Sequence, residues 1–581
     1  MKQSACLKVS CLVVLSLWLM SWGAETDAAS EMVKMRLTKA DGTVVERQLE
    51  KPKYGGVFAY GLSRDVQYWD ESFGSIAWSR PLNLSNEDLV TGDWARGLSG
   101  TGEASWRYHL TPPPHLRTGC LAESWEIVDN QTVVYHIRRG VHFHDKPPTN
   151  GRELDAHDVV ASYKHMWASP KSYLASSAPW DKNMEELTAL DDRTVRMKVQ
   201  PGKLGIIYPF ISGLVKVVSR DVLEKYGDVK DWRNVCGTGP FILTDYVSES
   251  SVTLKRNPNY WRSDPLFSEN KLPYLDEVKW LIIPDLSTRM AALRTGKIGL
   301  ISELTWDDAK SLKQTNPELK WVGYPSSGSQ GLMWYMDKPD LPFANMKVRR
   351  ALCMAVDQTA VRDQLYGGNA ELINYPVARV PEFSDIYVGL EDMDQAAREL
   401  YEYHPEKAKQ LLTEAGYPKG FKTTVLCYQA HVDVLSIVKG YFEAVGVDLE
   451  IEVKEYSAYY SQLVKKAARE IIYAGPSGTA PEKAYYTAPG SVGNYNNWVD
   501  QHVIDSYNAI SEAYFDYPKM AGLIKETAKY ILAQAHFLQM PQPHSFNFWQ
   551  PWVKGYQGEN MVGYGNFDDF PIYIWIDPDL K

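Results

Sequence analysis

Three groups of side chains in this sequence have the types and spacing to do chemistry. His142 and His144 in "HFHD" stand two apart, with His136 shortly before them. On a strand such a pair shares one face, as two imidazole ligands of a metal would. Acid pairs occur at Asp191-Asp192, Asp307-Asp308 and Asp568-Asp569, and a glycosidase works with two carboxylates set across a cleft. Adjacent acids belong more often to turns and helix starts, however, and "ALDDRTV" has the form of a hairpin turn. "GPSGTA" lacks the GxSxG spacing of a nucleophile elbow, so a secreted hydrolase is the weakest reading and no enzyme is expected. The third group is aromatic. With 19 Trp and 36 Tyr, the chain has enough flat apolar faces with polar handles to fill a core and still line a ligand site.

The elements that must position these groups come from a long chain. At 581 residues and 44% hydrophobic it can bury a large core and should form two or more domains. The 62 basic and 72 acidic residues leave a formal charge of −10, which argues against a nucleic-acid binder that neutralises phosphates. The N-terminal residues have Lys2 and Lys8, an apolar stretch at 11–20, then Ser21 and Gly23. This is the layout of a cleaved signal peptide over residues 1–23, too short to span a bilayer comfortably. Cys11 stands at the start of the apolar stretch, before its core, the wrong place for lipid attachment. An exported protein, periplasmic or extracellular, is the expectation. Cys120, Cys236, Cys353 and Cys427 would remain after cleavage. Their wide spacing fits no CxxC metal motif and leaves buried thiols and one or two disulfides both open.

After a polar extension over 24–53, with a hairpin expected at Asp41-Gly42, short strands dominate. "RTVRMKV" puts Val195, Met197 and Val199 on one face. Later the period changes. "NMKVRRALCMAVDQTAVRDQLYGG" aligns Val348, Leu352 and Ala355 as one helical stripe stopped by Gly367. "HPEKAKQLLTEAGYPKGF" predicts a helix from Pro405 to a stop at Gly416. "KTTVLCY", "VLSIVKGYFEAVG" and "VDLEIEVKEY" then form a βαβ unit. Such units build a mostly parallel sheet whose ligands bind beyond the strand carboxyl ends.

The stretch "GTGPFILTDYVSESSVTLKRNPNYW" resembles the signature of the family 5 extracellular solute-binding proteins, the peptide- and nickel-type binders of ABC importers. "LAESWEIVDNQTVVYHIRRGVHFHD", "DAHDVVASYKHM", "FANMKVRRALCMAVD", "EKAKQLLTEAGYPKGF" and "PWVKGYQGE" follow the family order. The resemblance implies an α/β, two-lobed periplasmic-binding-protein fold of the cluster C type, with a hinge between the lobes and an extra β-rich subdomain in lobe 1. Lobe 1 would cover 54–283, with the subdomain at about 70–205; lobe 2 would cover 284–548, and 549–581 would return to lobe 1. It also implies a monomer that binds a small organic solute or peptide and meets an ABC permease in the inner membrane, with no cofactor and no nucleic acid. It makes "HFHD" a scaffold phrase, and the signature itself scaffold more than ligand contact.

Peptide-binding relatives place an aspartate where this chain has "YAGPSGTAPEKAYY", with Ser477 and Ala480 at the acidic positions and Glu482 the nearest carboxylate. The loop "CYQAHVDV" likewise lacks the carboxylate-binding arginine of dipeptide binders. An ammonium buried without a counter-charge is costly, so a solute of aromatic, sugar-like or apolar-peptide character is favoured over an ordinary dipeptide or oligopeptide. The ligand candidates are Trp69, Trp334, Tyr428, His431, Tyr456, Tyr485, Tyr486, Tyr495 and Trp498. They supply stacking faces and, at Tyr428 and His431, hydrogen bonds. His431 is also the one candidate for a nickel chelate, which would need an organic chelator beside a single imidazole.

Overall fold

The computed structural model describes residues 31–109, 111–476 and 494–581; the 1–23 segment and Ser477, Ala480, Glu482, Tyr485 and Tyr486 lie outside these. Two large sheets organise the chain. The first runs in the spatial order Phe241–Val247, Ser251–Arg256, Glu277–Ile282, Val57–Leu62, Leu300–Leu304, Gln542–Trp549, Lys320–Pro325. Its strands Val57–Leu62, Glu277–Ile282 and Leu300–Leu304 are parallel. The second sheet runs Val447–Lys454, Phe421–Tyr428, Ile471–Ala474, Gly331–Trp334, Phe537–Gln539, its first three strands parallel.

The chain passes from one sheet to the other between Lys320–Pro325 and Gly331–Trp334, and returns between Phe537–Gln539 and Gln542–Trp549. These crossings, at 326–330 and 540–541, differ from the sequence-based boundaries at 284 and 549. Strands Leu300–Leu304 and Lys320–Pro325 stay hydrogen-bonded in the first sheet. A helical segment after a strand marks no domain change when the next strand rejoins the same sheet.

Local chemistry accounts for most elements. The βαβ unit forms as Phe421–Tyr428, helix Val432–Ala444 and Val447–Lys454. Its helix buries Val434, Leu435, Val438 and Phe442, the stripe that a 3.6-residue period produces. The stripe of Val348, Leu352 and Ala355 lies on helix Met346–Met354 and its cap, and Gly367 ends a second helix, Gln358–Tyr366, where one helix was expected. The Asp357 carboxylate accepts from the Ala360 N–H at 2.8 Å and starts a second helix. Val195, Met197 and Val199 are buried in a four-stranded antiparallel sheet ordered Ala122–Ile127, Thr132–Ile137, Thr194–Val199, Met184–Asp191, and Asp191-Asp192 form its turn. Strands Met32–Thr38 and Val44–Glu50 make a separate hairpin. No described helix is long and apolar enough to cross a membrane.

The signature stretch is held by a buried carboxylate. Glu87 accepts from Thr238 Oγ1 at 2.8 Å, Tyr260 Oη at 2.7 Å and Trp261 Nε1 at 3.1 Å. A Cβ on Gly237 would collide with the Ser85 carbonyl, and one on Gly239 with the backbone at 84–85, so these glycines serve a close backbone approach. His144, which sequence spacing offered as a metal ligand, donates through Nε2–H to the Gly239 carbonyl (3.0 Å). Burial pushes its pKa down to about 4.

Candidate functional site

The carboxyl ends of the second sheet's parallel strands gather aromatic side chains. Tyr428 ends Phe421–Tyr428, His431 begins the helix after it, and Tyr456 opens helix Tyr456–Val464 directly after Val447–Lys454. The Tyr428 ring lies 4.1 Å from that of His431 and 5.1 Å from those of both Tyr456 and Tyr459, centroid to centroid. Tyr473, from the third parallel strand, approaches His431 at 4.5 Å. Tyr456 is exposed, whereas His431 is only 5% exposed. Neither His431 ring nitrogen has a hydrogen-bond partner among the described residues, and burial alone pushes its pKa down to about 4. The ring is therefore neutral at pH 7, with one donor and one acceptor uncommitted.

Trp498 and Tyr495 border the same apolar cluster. Their loop is set by its asparagines. Asn494 Nδ2 donates to the Trp498 carbonyl at 2.6 Å, and Asn496 Nδ2 to the His536 carbonyl at 2.9 Å. The Trp498 indole then stacks on His536 at 4.1 Å and 20°. Of the predicted residues, Tyr428, His431 and Tyr456 thus come together, joined by Tyr459 and Tyr473, which sequence reasoning missed; Tyr495 and Trp498 share only an apolar cluster with Tyr428 and Tyr459, and Trp498 is buried against His536. Helical spacing from Tyr456 would have found Tyr459; nothing local marks Tyr473.

Trp334 and Trp69 do not join them. Trp334 is fully buried in the second lobe, stacked on Phe343 at 5.9 Å, with Nε1 donating to the Ala535 carbonyl at 2.9 Å. Its strand lies between two others, Ile471–Ala474 and Phe537–Gln539, so the indole is covered by core. Trp69 is buried in the first lobe, edge-on to Tyr246 at 5.0 Å. Cys120, Cys236, Cys353 and Cys427 are buried free thiols.

The carboxyl ends of the first sheet's parallel strands enclose a different cavity, of about 180 Å³, lined by residues 60–66, Arg80, Arg289, 301–305 and Asp308. Here the groups are charged. Arg80 Nη1 contacts Asp568 Oδ2 at 2.9 Å, and Arg289 donates to the Ile283 carbonyl at 3.1 Å. Asp65 accepts from Tyr246 Oη, Ser248 Oγ and the Glu249 N–H, which hold its pKa below the usual carboxylate value despite partial burial. Glu303 sits at a register break in Leu300–Leu304, with φ +61°, a strained value for a residue with a Cβ. Its N–H donates to the buried Asn547 at 3.1 Å, which fixes the turn. These residues are scattered between 60 and 308, and no sequence motif joins them.

The first crossing segment lies between the two edges. Ser329 Oγ donates to the Pro476 carbonyl at 2.9 Å on the second-lobe side. The Gly328 N–H donates to Tyr108 Oη at 3.1 Å on the other. Beside it the lobes touch directly: buried Glu382 accepts from the Ser105 N–H (2.7 Å), Ser105 Oγ (2.9 Å) and the Trp106 N–H (2.9 Å).

Two α/β sheets joined by two crossing segments, with their parallel carboxyl edges left to hold a ligand, define a two-lobed binding protein of the periplasmic type. Residues 118–497 match the family described as bacterial extracellular solute-binding proteins, family 5 Middle, and the chain belongs to that family. It is 32% identical to the heme-binding protein A of Haemophilus influenzae over 319 residues, 52% of this chain and 54% of that one. The match thus spans about half the length of this relative. It is 26% identical over 377 residues to a glutathione-binding protein of Shigella boydii, covering 64% of this chain and 68% of the relative. Among solved structures, HbpA2 from Haemophilus parasuis superposes with a TM-score of 0.71 at 19% identity, over 90% of this chain and 100% of that one.

Proposed function

We propose that this protein captures an organic solute between the two carboxyl edges, outside the cytoplasm, and hands it unchanged to the permease of an ABC importer. The observation that carries this reading is the aromatic cluster of Tyr428, His431, Tyr456 and Tyr459 beyond the parallel strands of the second sheet. Three tyrosine rings and an uncommitted neutral imidazole favour a ligand with a flat or apolar body and a hydrogen-bonding group. A short peptide remains the second reading, favoured by the identity to a glutathione-binding protein. The acid pairs are otherwise engaged: Asp191 accepts from the Arg193 N–H in a turn, and Asp569 from the Val562 N–H.

A thermal-shift screen of peptides, glycosides, tetrapyrroles and aromatic acids tests the reading. A ligand at about 100 times its Kd stabilises the native state by roughly 2.7 kcal/mol, and mass spectrometry should recover it intact. Turnover of the stabilising compound by purified protein would overturn the assignment.

A further inference from the structure

A second cavity, of about 430 Å³, lies at the opposite end of the first sheet, within the size range of small-molecule sites. It includes Trp549 and Lys320, where Gln542–Trp549 ends and Lys320–Pro325 begins, opposite Leu300 at the amino end of its parallel strand. The sheet therefore separates it from the carboxyl-edge site. Its aromatic lining consists of Trp94, Phe267, Trp549, Tyr556, Tyr573 and Trp575. Trp94 and Tyr573 stack in parallel planes at 4.4 Å and 4°, and Trp549 meets Tyr556 edge-on at 5.0 Å.

The N-terminal hairpin roofs this space. Alternation turns Val33, Met35, Leu37 and Leu49 toward the first-lobe core. Polar bonds pin the hairpin: Arg47 Nε to the Gly100 carbonyl at 3.0 Å, Arg96 Nη1 to the Thr38 carbonyl at 3.0 Å, and Lys554 Nζ to Glu50 Oε1 at 2.9 Å. The second oxygen of Glu50 is buried and has no hydrogen-bond partner among the described residues. A buried carboxylate oxygen left unbonded is costly, and it sits at the wall of a cavity. Asp264, the other acid there, is committed to the Leu266 and Phe267 N–H groups and Tyr274 Oη.

We infer that this cavity is a second ligand site, and that its ligand is a neutral saccharide. Flat ring faces suit the apolar C–H face of a pyranose, Glu50 Oε2 awaits a hydroxyl donor, and the charges at the wall, Glu50 and Asp264 against Lys320 and Lys554, balance. Most of the lining lies outside residues 118–497.

The test uses the intact protein and three probes, methyl β-glucoside, cellobiose and maltotriose, in ligand-observed saturation-transfer NMR with tryptophan fluorescence. At least one should bind at millimolar concentration. Glu50→Ala should weaken it about tenfold, the loss of a charge-assisted hydrogen bond, and Leu49→Trp, which fills the cavity, should abolish it. Tyr428→Ala should leave it unchanged. Both hairpin substitutions lie on a surface element, and a melting curve checks that they fold. Absence of binding by all three probes overturns the inference. So does binding that survives Glu50→Ala and Leu49→Trp, or that Tyr428→Ala abolishes, which would instead place the sugar between the lobes.

Discussion

The two lobes present the same architectural feature, the carboxyl edge of a parallel sheet, with opposite chemistry. In the first lobe the edge is ionic and largely fixed: Arg80 is paired with Asp568, Arg289 is spent on a backbone carbonyl, and Asp65 is satisfied by four donors. In the second it is aromatic, and His431 has two ring nitrogens without a partner among the described residues. The difference teaches where specificity resides. A group already satisfied within the protein gains little from a ligand, whereas an unsatisfied buried one gains a hydrogen bond it lacks.

The sharpest way to break the contrast is Arg80→Met. It leaves Asp568, almost fully buried, without its partner, and should cost about 3–5 kcal/mol in a denaturant melt. A loss in ligand affinity without a loss in stability would mean that the first-lobe charges belong to the ligand after all. Tyr428→Ala should do the reverse, weakening the ligand found by the screen by about 1–3 kcal/mol. Trp334→Ala is the control inside the same lobe. It should lower stability, with affinity in the folded fraction preserved, because its indole is enclosed.

A subtler expectation concerns pH. Burial pushes Glu71 up to about 8 and Glu559 up to about 7, both packed within the first lobe. A carboxyl raised in this way favours folding while protonated. Its contribution is full below the ordinary value of 4.5 and is lost as pH rises through those folded values. Burial lowers His431 and His536 to about 4 and about 3. Their contribution is full above 6.5 and is lost as pH falls toward the folded values. His144 adds the same acid limb to the first lobe, so the alkaline limb discriminates. Amide exchange, corrected for intrinsic rate, should quicken in the strands around Val57–Leu62 as pH rises from about 6.5 to about 8, above the histidine window, while Phe421–Tyr428 holds steady. Equal behaviour of the two lobes would remove this part of the comparison.

How much of this was legible in the sequence follows from the range of each interaction. The βαβ unit and the antiparallel strand Thr194–Val199 declare themselves through a period of 3.6 or 2, which neighbouring residues carry. The second-lobe cluster was half legible, since Tyr428, His431 and Tyr456 follow strands directly and strand ends are where ligands bind. Trp334 was misplaced because a tryptophan in a central strand carries no mark of whether core or solvent covers it. The first-lobe cavity was invisible. Its arginines and acids meet only when strands from Val57, Leu300 and Gln542 are laid side by side, and Glu303 turns into it through a register break that no residue type announces.

The crossings at 326–330 and 540–541 also set an order of assembly. All strands of the second sheet lie between them in sequence, so that sheet can close as soon as its own residues have been synthesised. The first sheet has no such freedom, because Gln542–Trp549 separates Leu300–Leu304 from Lys320–Pro325. Until a ribosome delivers that strand, the half of the molecule that began first remains incomplete, and a chain with this topology stays unfinished through most of its own translation.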